Sequence, residues 1–94
     1  MAEQLNVQLV AVEEKVWSGM AEMVMARTTE GELGVLPGHA PLLGQLAEPG
    51  QVRIKLPGGE QLSYDVAGGF LSVSEQGVTV LAETATPASA ASGN

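Results

Sequence analysis

Val52-Arg53-Ile54-Lys55-Leu56-Pro57-Gly58-Gly59-Glu60-Gln61-Leu62-Ser63-Tyr64-Asp65-Val66 reads as two amphipathic strands joined by a tight turn. Val52, Ile54 and Leu56 alternate with Arg53 and Lys55, and Leu62, Tyr64 and Val66 alternate with Gln61, Ser63 and Asp65. Successive side chains of a strand point to opposite faces, so a period of two gives one buried and one wet face. Pro57-Gly58-Gly59-Glu60 supplies the fixed φ of proline and the positive φ open to glycine that close a hairpin.

Outward from this hairpin the same grammar repeats. Gly68-Gly69 interrupts the pattern and predicts a bulge or a close backbone approach. Phe70-Leu71-Ser72-Val73-Ser74 and Val78-Thr79-Val80-Leu81-Ala82 form a last hairpin around Glu75-Gln76-Gly77. Upstream, Leu5-Asn6-Val7-Gln8-Leu9 alternates, runs on through Val12 and ends at the charged corner Glu13-Glu14-Lys15. Val16-Trp17 follows, with Ser18-Gly19 read as a turn. Ala21–Thr28 fits helix or strand by periodicity, and the bracketing Gly19 and Gly31 favour a strand; Thr29-Glu30-Gly31-Glu32 is then a hairpin tip. Pro37-Gly38 fits the two central positions of a type II turn, and Pro41 places Leu33–Leu46 at a sheet edge or corner.

Short strands with turn signals every eight to twelve residues predict an all-β sandwich or barrel. A single domain is expected over residues 1–84. After Glu83 the composition turns to Ala, Thr, Ser, Pro and Gly, so residues 85–94 are expected to be a flexible tail.

Composition excludes several function classes. The net charge is −7, and the only cations are Lys15, Arg27, Arg53 and Lys55, too few to neutralise a run of phosphates. Neither nucleic acid nor an anionic leaflet is an expected partner, and no apolar run approaches the ~18 residues of a membrane span. With no Cys and one His, thiol chemistry and a zinc site lack their ligands, so neither metal nor cofactor is expected. His39 would need a carboxylate and a facing hydroxyl to activate a nucleophile, and no serine stands in a nucleophile elbow. Glu30 and Glu32 are either solvated surface charges or an acidic tip presented to a basic loop. Met20, Met23 and Met25 belong either to the core or to a patch facing a partner.

Glu30-Gly31-Glu32-Leu33-Gly34-Val35-Leu36-Pro37-Gly38-His39-Ala40-Pro41-Leu42-Leu43 resembles, almost residue for residue, the signature of the epsilon subunits of bacterial F-type ATP synthases. Val16-Trp17-Ser18-Gly19, Gly68-Gly69-Phe70-Leu71-Ser72-Val73 and Val78-Thr79-Val80-Leu81-Ala82-Glu83 agree with that family in order and spacing, so the resemblance covers roughly residues 4–84. The opening Leu5–Val12 and the Trp-Ser-Gly are most like actinobacterial versions. The resemblance implies a ten-stranded β-sandwich of two antiparallel sheets. It also implies a non-catalytic rotor subunit, peripheral on the cytoplasmic side of the bacterial plasma membrane. Such a subunit packs against the gamma subunit and rests on the c-ring, coupling proton-driven rotation to ATP synthesis without a small-molecule substrate. By motif matching, Glu30, Gly31, Glu32, Pro37, Gly38, His39, Ala40 and Pro41 lie at the gamma and c-ring interface, with Glu32 toward Arg-bearing ring loops and His39 at the junction.

The family usually continues into a C-terminal helical hairpin that inhibits ATP hydrolysis. Too few residues follow Thr84 for that hairpin, and Pro87 and Gly93 oppose even one helix, so hairpin-mediated inhibition is not expected of this chain. A reading from another class remains open: a free-standing β-sandwich that binds a small ligand, or a minor hydrolase, around a pocket converging on His39.

Overall fold

The computed structural model describes residues 4–12 and 14–88. Eight strands follow one another without a helix among the described residues: β1 Leu5–Ala11, β2 Glu14–Ala21, β3 Met23–Thr28, β4 Gly31–Val35, β5 Leu42–Gln45, β6 Gly50–Lys55, β7 Gln61–Ser74 and β8 Gly77–Pro87. The hydrogen-bonded order is β2-β1-β8-β7-β6-β3-β4, with β5 pairing β7.

The two longest strands explain how one sheet makes two layers. The first half of β7 pairs β6, from Lys55 opposite Gln61 to Gly50 opposite Val66. Its second half pairs β5, from Gln45 opposite Phe70 to Leu42 opposite Val73. β8 follows β7 throughout, from Ser74 opposite Gly77 to Tyr64 opposite Pro87. One layer is therefore β5, late β7, early β8, β1 and β2; the other is β4, β3, β6, early β7 and late β8. Their inner faces share one apolar cluster that includes Val7, Leu9, Val24, Val52, Ile54, Leu71, Val78 and Val80. Among the described residues no polar or charged residue is buried, so the interior is a dry aliphatic slab.

The all-β sandwich is as expected, but three features of the expected architecture change. Eight strands stand where ten were expected, because β7 and β8 each cross from one layer to the other unbroken. The sheets are not separate, and not wholly antiparallel: β1 and β8 pair in parallel, Val7 opposite Val78 through Ala11 opposite Ala82. β8 also runs through Pro87, past the expected boundary at residue 84, since Ala85 packs half-buried on the core and pairs with Val66. The rest of the expected flexible tail, residues 89–94, lies outside the described residues, as does Glu13.

Both turn-rich junctions follow backbone chemistry. Pro37-Gly38 forms the type II turn: Gly38 has φ 86° and the His39 amide donates to the Leu36 carbonyl at 3.1 Å. Pro57–Glu60 closes the β6–β7 hairpin, with the Leu56 amide on the Glu60 carbonyl at 2.7 Å. Ser18-Gly19, read as a turn, instead lies inside β2 opposite Gln8 and Val7. Gly19 is small because the Trp17 indole lies over it; a Cβ there would meet the ring at 3.0 Å. Gly68-Gly69 is a close backbone approach and not a bulge. The β7–β8 register is the same on both sides of it, Ala67 opposite Thr84 and Gly69 opposite Ala82. Gly69 has φ 142°, and a Cβ would overlap the Leu81 carbonyl oxygen and reach Ala82 Cα at 2.7 Å.

Two substitutions test these backbone positions. Gly69→Ala is expected to destabilise the fold by at least ~3 kcal/mol, combining left-handed strain with overlap against backbone that cannot yield. Gly58→Ala has φ 106° but open space around it, and is expected to cost only about 1–2 kcal/mol. Gly38→Val is expected to cost more than ~1 kcal/mol. Urea melts of the three variants check the ranking; a Gly69→Ala melt like the wild type contradicts the close approach.

Candidate functional site

Strand order places the residues singled out in the sequence along one side of the sandwich. β4 ends one layer and β5 begins the other, so each has one unpaired edge. The hairpin tip Thr29-Glu30 and the corner Leu36–Pro41 lie at the two ends of β4. At the tip the Thr28 hydroxyl donates to the Gly31 carbonyl at 2.8 Å and accepts from the Glu30 amide at 3.2 Å. The Thr29 amide donates to the Gln45 carbonyl at 2.9 Å, tying the tip to β5.

Glu30, Gly31, Glu32, Gly38, Ala40 and Pro41 are exposed, and Pro37 and His39 are half-buried. None of the eight is in the interior. Glu32 has a partner within the domain: Arg53 Nη2 donates to Glu32 Oε2 at 3.2 Å, with the two side chains 33% and 56% exposed. At that exposure the pair is worth ~0–1 kcal/mol, weak enough for a better-placed external cation to compete. Arg27 stands directly opposite Glu32 on β3.

His39 does not assemble a nucleophilic site. Its Nδ1 lies 2.7 Å from the Ala40 carbonyl oxygen, which only accepts, so Nδ1 carries the proton and donates. An open cleft of about 290 Å³ beside it includes Pro37, Gly38, Ser74, Glu75 and Gln76. The Ser74 hydroxyl accepts from the Gln76 amide at 3.2 Å and makes no hydrogen bond to the imidazole. Among the described residues no group of three metal-ligating side chains gathers anywhere.

The structure also reveals a surface that linear reading missed. Across the outer face of the first layer, one row reads Leu43, Ser72, Thr79, Gln8, Ser18, each opposite the next. The neighbouring row reads Gln45, Phe70, Leu81, Val10, and reaches a charge only at Lys15 on the margin. Leu43 is 72% exposed, Phe70 50% and Leu81 49%, with Met20 exposed nearby. The opposite outer face carries Arg27, Arg53 and Lys55 with Glu32 and Asp65, around half-buried Met23 and Met25. The three methionines therefore point outward, and Val24 and Ala26 supply the core from β3. A face with exposed apolar side chains and no charge at its centre has the composition of a protein–protein interface core. The signal lay in the polar positions of three strands, which are Ser, Thr, Asn and Gln and never charged until the strand ends.

The sequence matches the family described as ATP synthase, Delta/Epsilon chain, beta-sandwich domain, over residues 4–88. The ATP synthase epsilon chain of Frankia casuarinae is 60% identical over 81 residues, covering 86% of this chain and 94% of its own length. That of Rhodococcus jostii is 58% identical over 85 residues, covering 90% of this chain and 69% of its own. Among solved structures, a chain of the Euglena gracilis mitochondrial ATP synthase, in an assembly of OSCP, F1 and c-ring, superposes with TM-score 0.84 at 32% identity. The match covers 89% of this chain and 53% of that one, so this chain spans about half the Euglena chain. A chain from the central stalk and c-ring of the Tetrahymena thermophila mitochondrial ATP synthase shares the fold, with TM-score 0.71 at 16% identity over 89% of this chain and 66% of that one. By sequence match over nearly its whole length, by the identity of its relatives and by its fold, the chain belongs to the delta/epsilon family of ATP synthase chains.

Proposed function

We propose that this chain is a non-catalytic subunit of the rotor of a proton-translocating ATP synthase, bound to the gamma subunit on one side and to the c-ring on another. It sits peripherally at the cytoplasmic side of the bacterial plasma membrane as part of that complex. Membership of the family supports the assignment, and the single structural observation that carries it is the charge-free outer face built from β5, β7, β8, β1 and β2. In a chain of net charge −7, such a face can be dehydrated at its centre without stripping water from an ion. It suits the durable contact with the gamma shaft.

The Glu30-Gly31-Glu32 tip supplies the second contact, with Glu32 toward polar loops of the ring, and the Pro37–Pro41 corner with His39 lies at the junction of gamma and ring. Two layers pack around a dry core, and the tip is tied to β5 by the Thr29–Gln45 hydrogen bond. A load applied at the tip therefore passes into a close-packed scaffold and not into a floppy loop. The subunit transmits rotation and carries out no chemistry on nucleotide.

Co-purification with the membrane ATP synthase tests this reading. Phe70→Glu is expected to lower retention on the gamma-containing complex at least ten-fold, since it places a charge at the centre of a dehydrated contact. Its thermal melt should stay within a few degrees of wild type, because Phe70 is already half-exposed. Glu32→Arg is expected to weaken attachment to the ring and spare the isolated fold. Unchanged retention of both variants contradicts the two-interface reading.

A further inference from the structure

The cleft between β4 and β5 lies where the two contacts above meet, sharing Glu30 to Glu32 with the tip and Leu43 with the charge-free face. Its volume is about 510 Å³. Half-buried Leu33 and Leu42, both packed on the core, line it from the two strands that border it. Both strands present an unpaired edge toward it, since β4 pairs only β3 and β5 pairs only β7. The Thr29–Gln45 hydrogen bond and the Thr28–Leu46 bridge close it at the tip end. Native sandwiches protect such edges with an inward charge, a proline or a covering segment. β5 is short, at four residues, but contains no proline and no charged residue, and among the described residues its outer edge is met only by the Thr29 amide on the Gln45 carbonyl.

Resting on the rotor reading, we propose that the cleft receives an extended segment of the gamma subunit, laid along the open edge of β5 as an added strand. Three observations select that occupant. Unpaired backbone donors and acceptors along a strand edge are satisfied by another strand, which is the physics of β-augmentation. The charged residues lining the cleft are Glu30 and Glu32, with no Lys or Arg among them, so the segment carries Lys or Arg beside a branched aliphatic side chain that meets Leu33 and Leu42. The cleft is also continuous with the charge-free face: Leu43 lies on the cleft lining and in the first row of that face. A partner seated on the face can thus pass a segment around β5 without crossing open solvent. With this strand in place, β5 becomes an interior strand of its layer.

Hydrogen exchange in the intact complex tests the proposal. Amides of residues 42–45 are expected to exchange at least ten-fold more slowly in the assembled enzyme than in the free chain, while the Pro57–Glu60 turn exchanges alike in both. Thr29→Arg places a cation on the rim at an exposed turn position. It is expected to abolish that protection and to lower retention several-fold at low salt, with the defect shrinking as salt rises. Thr29→Asp is expected to retain both. If the chain co-purifies and residues 42–45 exchange as in the free protein, the added strand is refuted and the rotor reading stands. If the chain does not co-purify at all, both fall together.

Discussion

The approach of the Gly69 backbone to Leu81 and Ala82 is the constraint on which the architecture turns. Only a residue without a Cβ fits there, and only glycine sits comfortably at φ 142°. The register on either side is unshifted, so β7 and β8 change layers together and never part company. One sheet thereby becomes two facing layers without a break in its ladder. Every core residue then finds its neighbours: Val66 serves the layer of β6, and Leu71 and Val73 the layer of β5. A bulky residue at this point would separate strands that must travel as a pair.

The same bend sorts the surface. Residues that alternate with the core are thrown onto two outer faces, and these differ in chemistry. One holds three of the four cations with Glu32 and Asp65, an ordinary solvated lattice in which Arg53 reaches Glu32. The other has Leu43, Phe70 and Leu81 among hydroxyls and amides, with charges only at its border. Dehydrating the first would cost several desolvated ions; dehydrating the second removes water from neutral hydroxyls and amides, which a partner can pair, and gains apolar burial. The docking preference is thus written into the outward positions, where folding itself makes no demand for neutrality.

What the sequence made legible is what is local. The Val52–Val66 alternation, the Pro57–Glu60 hairpin and the type II turn at Pro37-Gly38 each rest on a few adjacent residues, and each stands as read. The edge placement of Leu33–Leu46 was legible too, because Pro41 cannot join a ladder on both sides. What failed is what needs a distant partner. Ser18-Gly19 imitates a turn because its glycine answers to the Trp17 ring and not to a reversal of the chain. The parallel pairing of β1 with β8 leaves no trace in an alternation pattern, which is blind to strand direction. Ala85–Pro87 looked like tail because small residues give no periodic signal, yet β7 supplies their ladder. Glu32 was assigned outward, and its ion pair depends on Arg53, 21 residues away. The charge-free face gathers five strands, so no single segment could display it.

Cysteine labelling reads out directly whether the charge-free face is covered in the complex, because the chain has no cysteine of its own. A single Ser72→Cys lies in the middle of the charge-free face, and a single Gln61→Cys lies on the opposite outer face; both positions are exposed. Maleimide should label both at similar rates in the free protein. In the assembled ATP synthase, labelling of Ser72→Cys should fall by at least ten-fold while Gln61→Cys stays reactive. Equal labelling of Ser72→Cys in the free and assembled states would contradict the account.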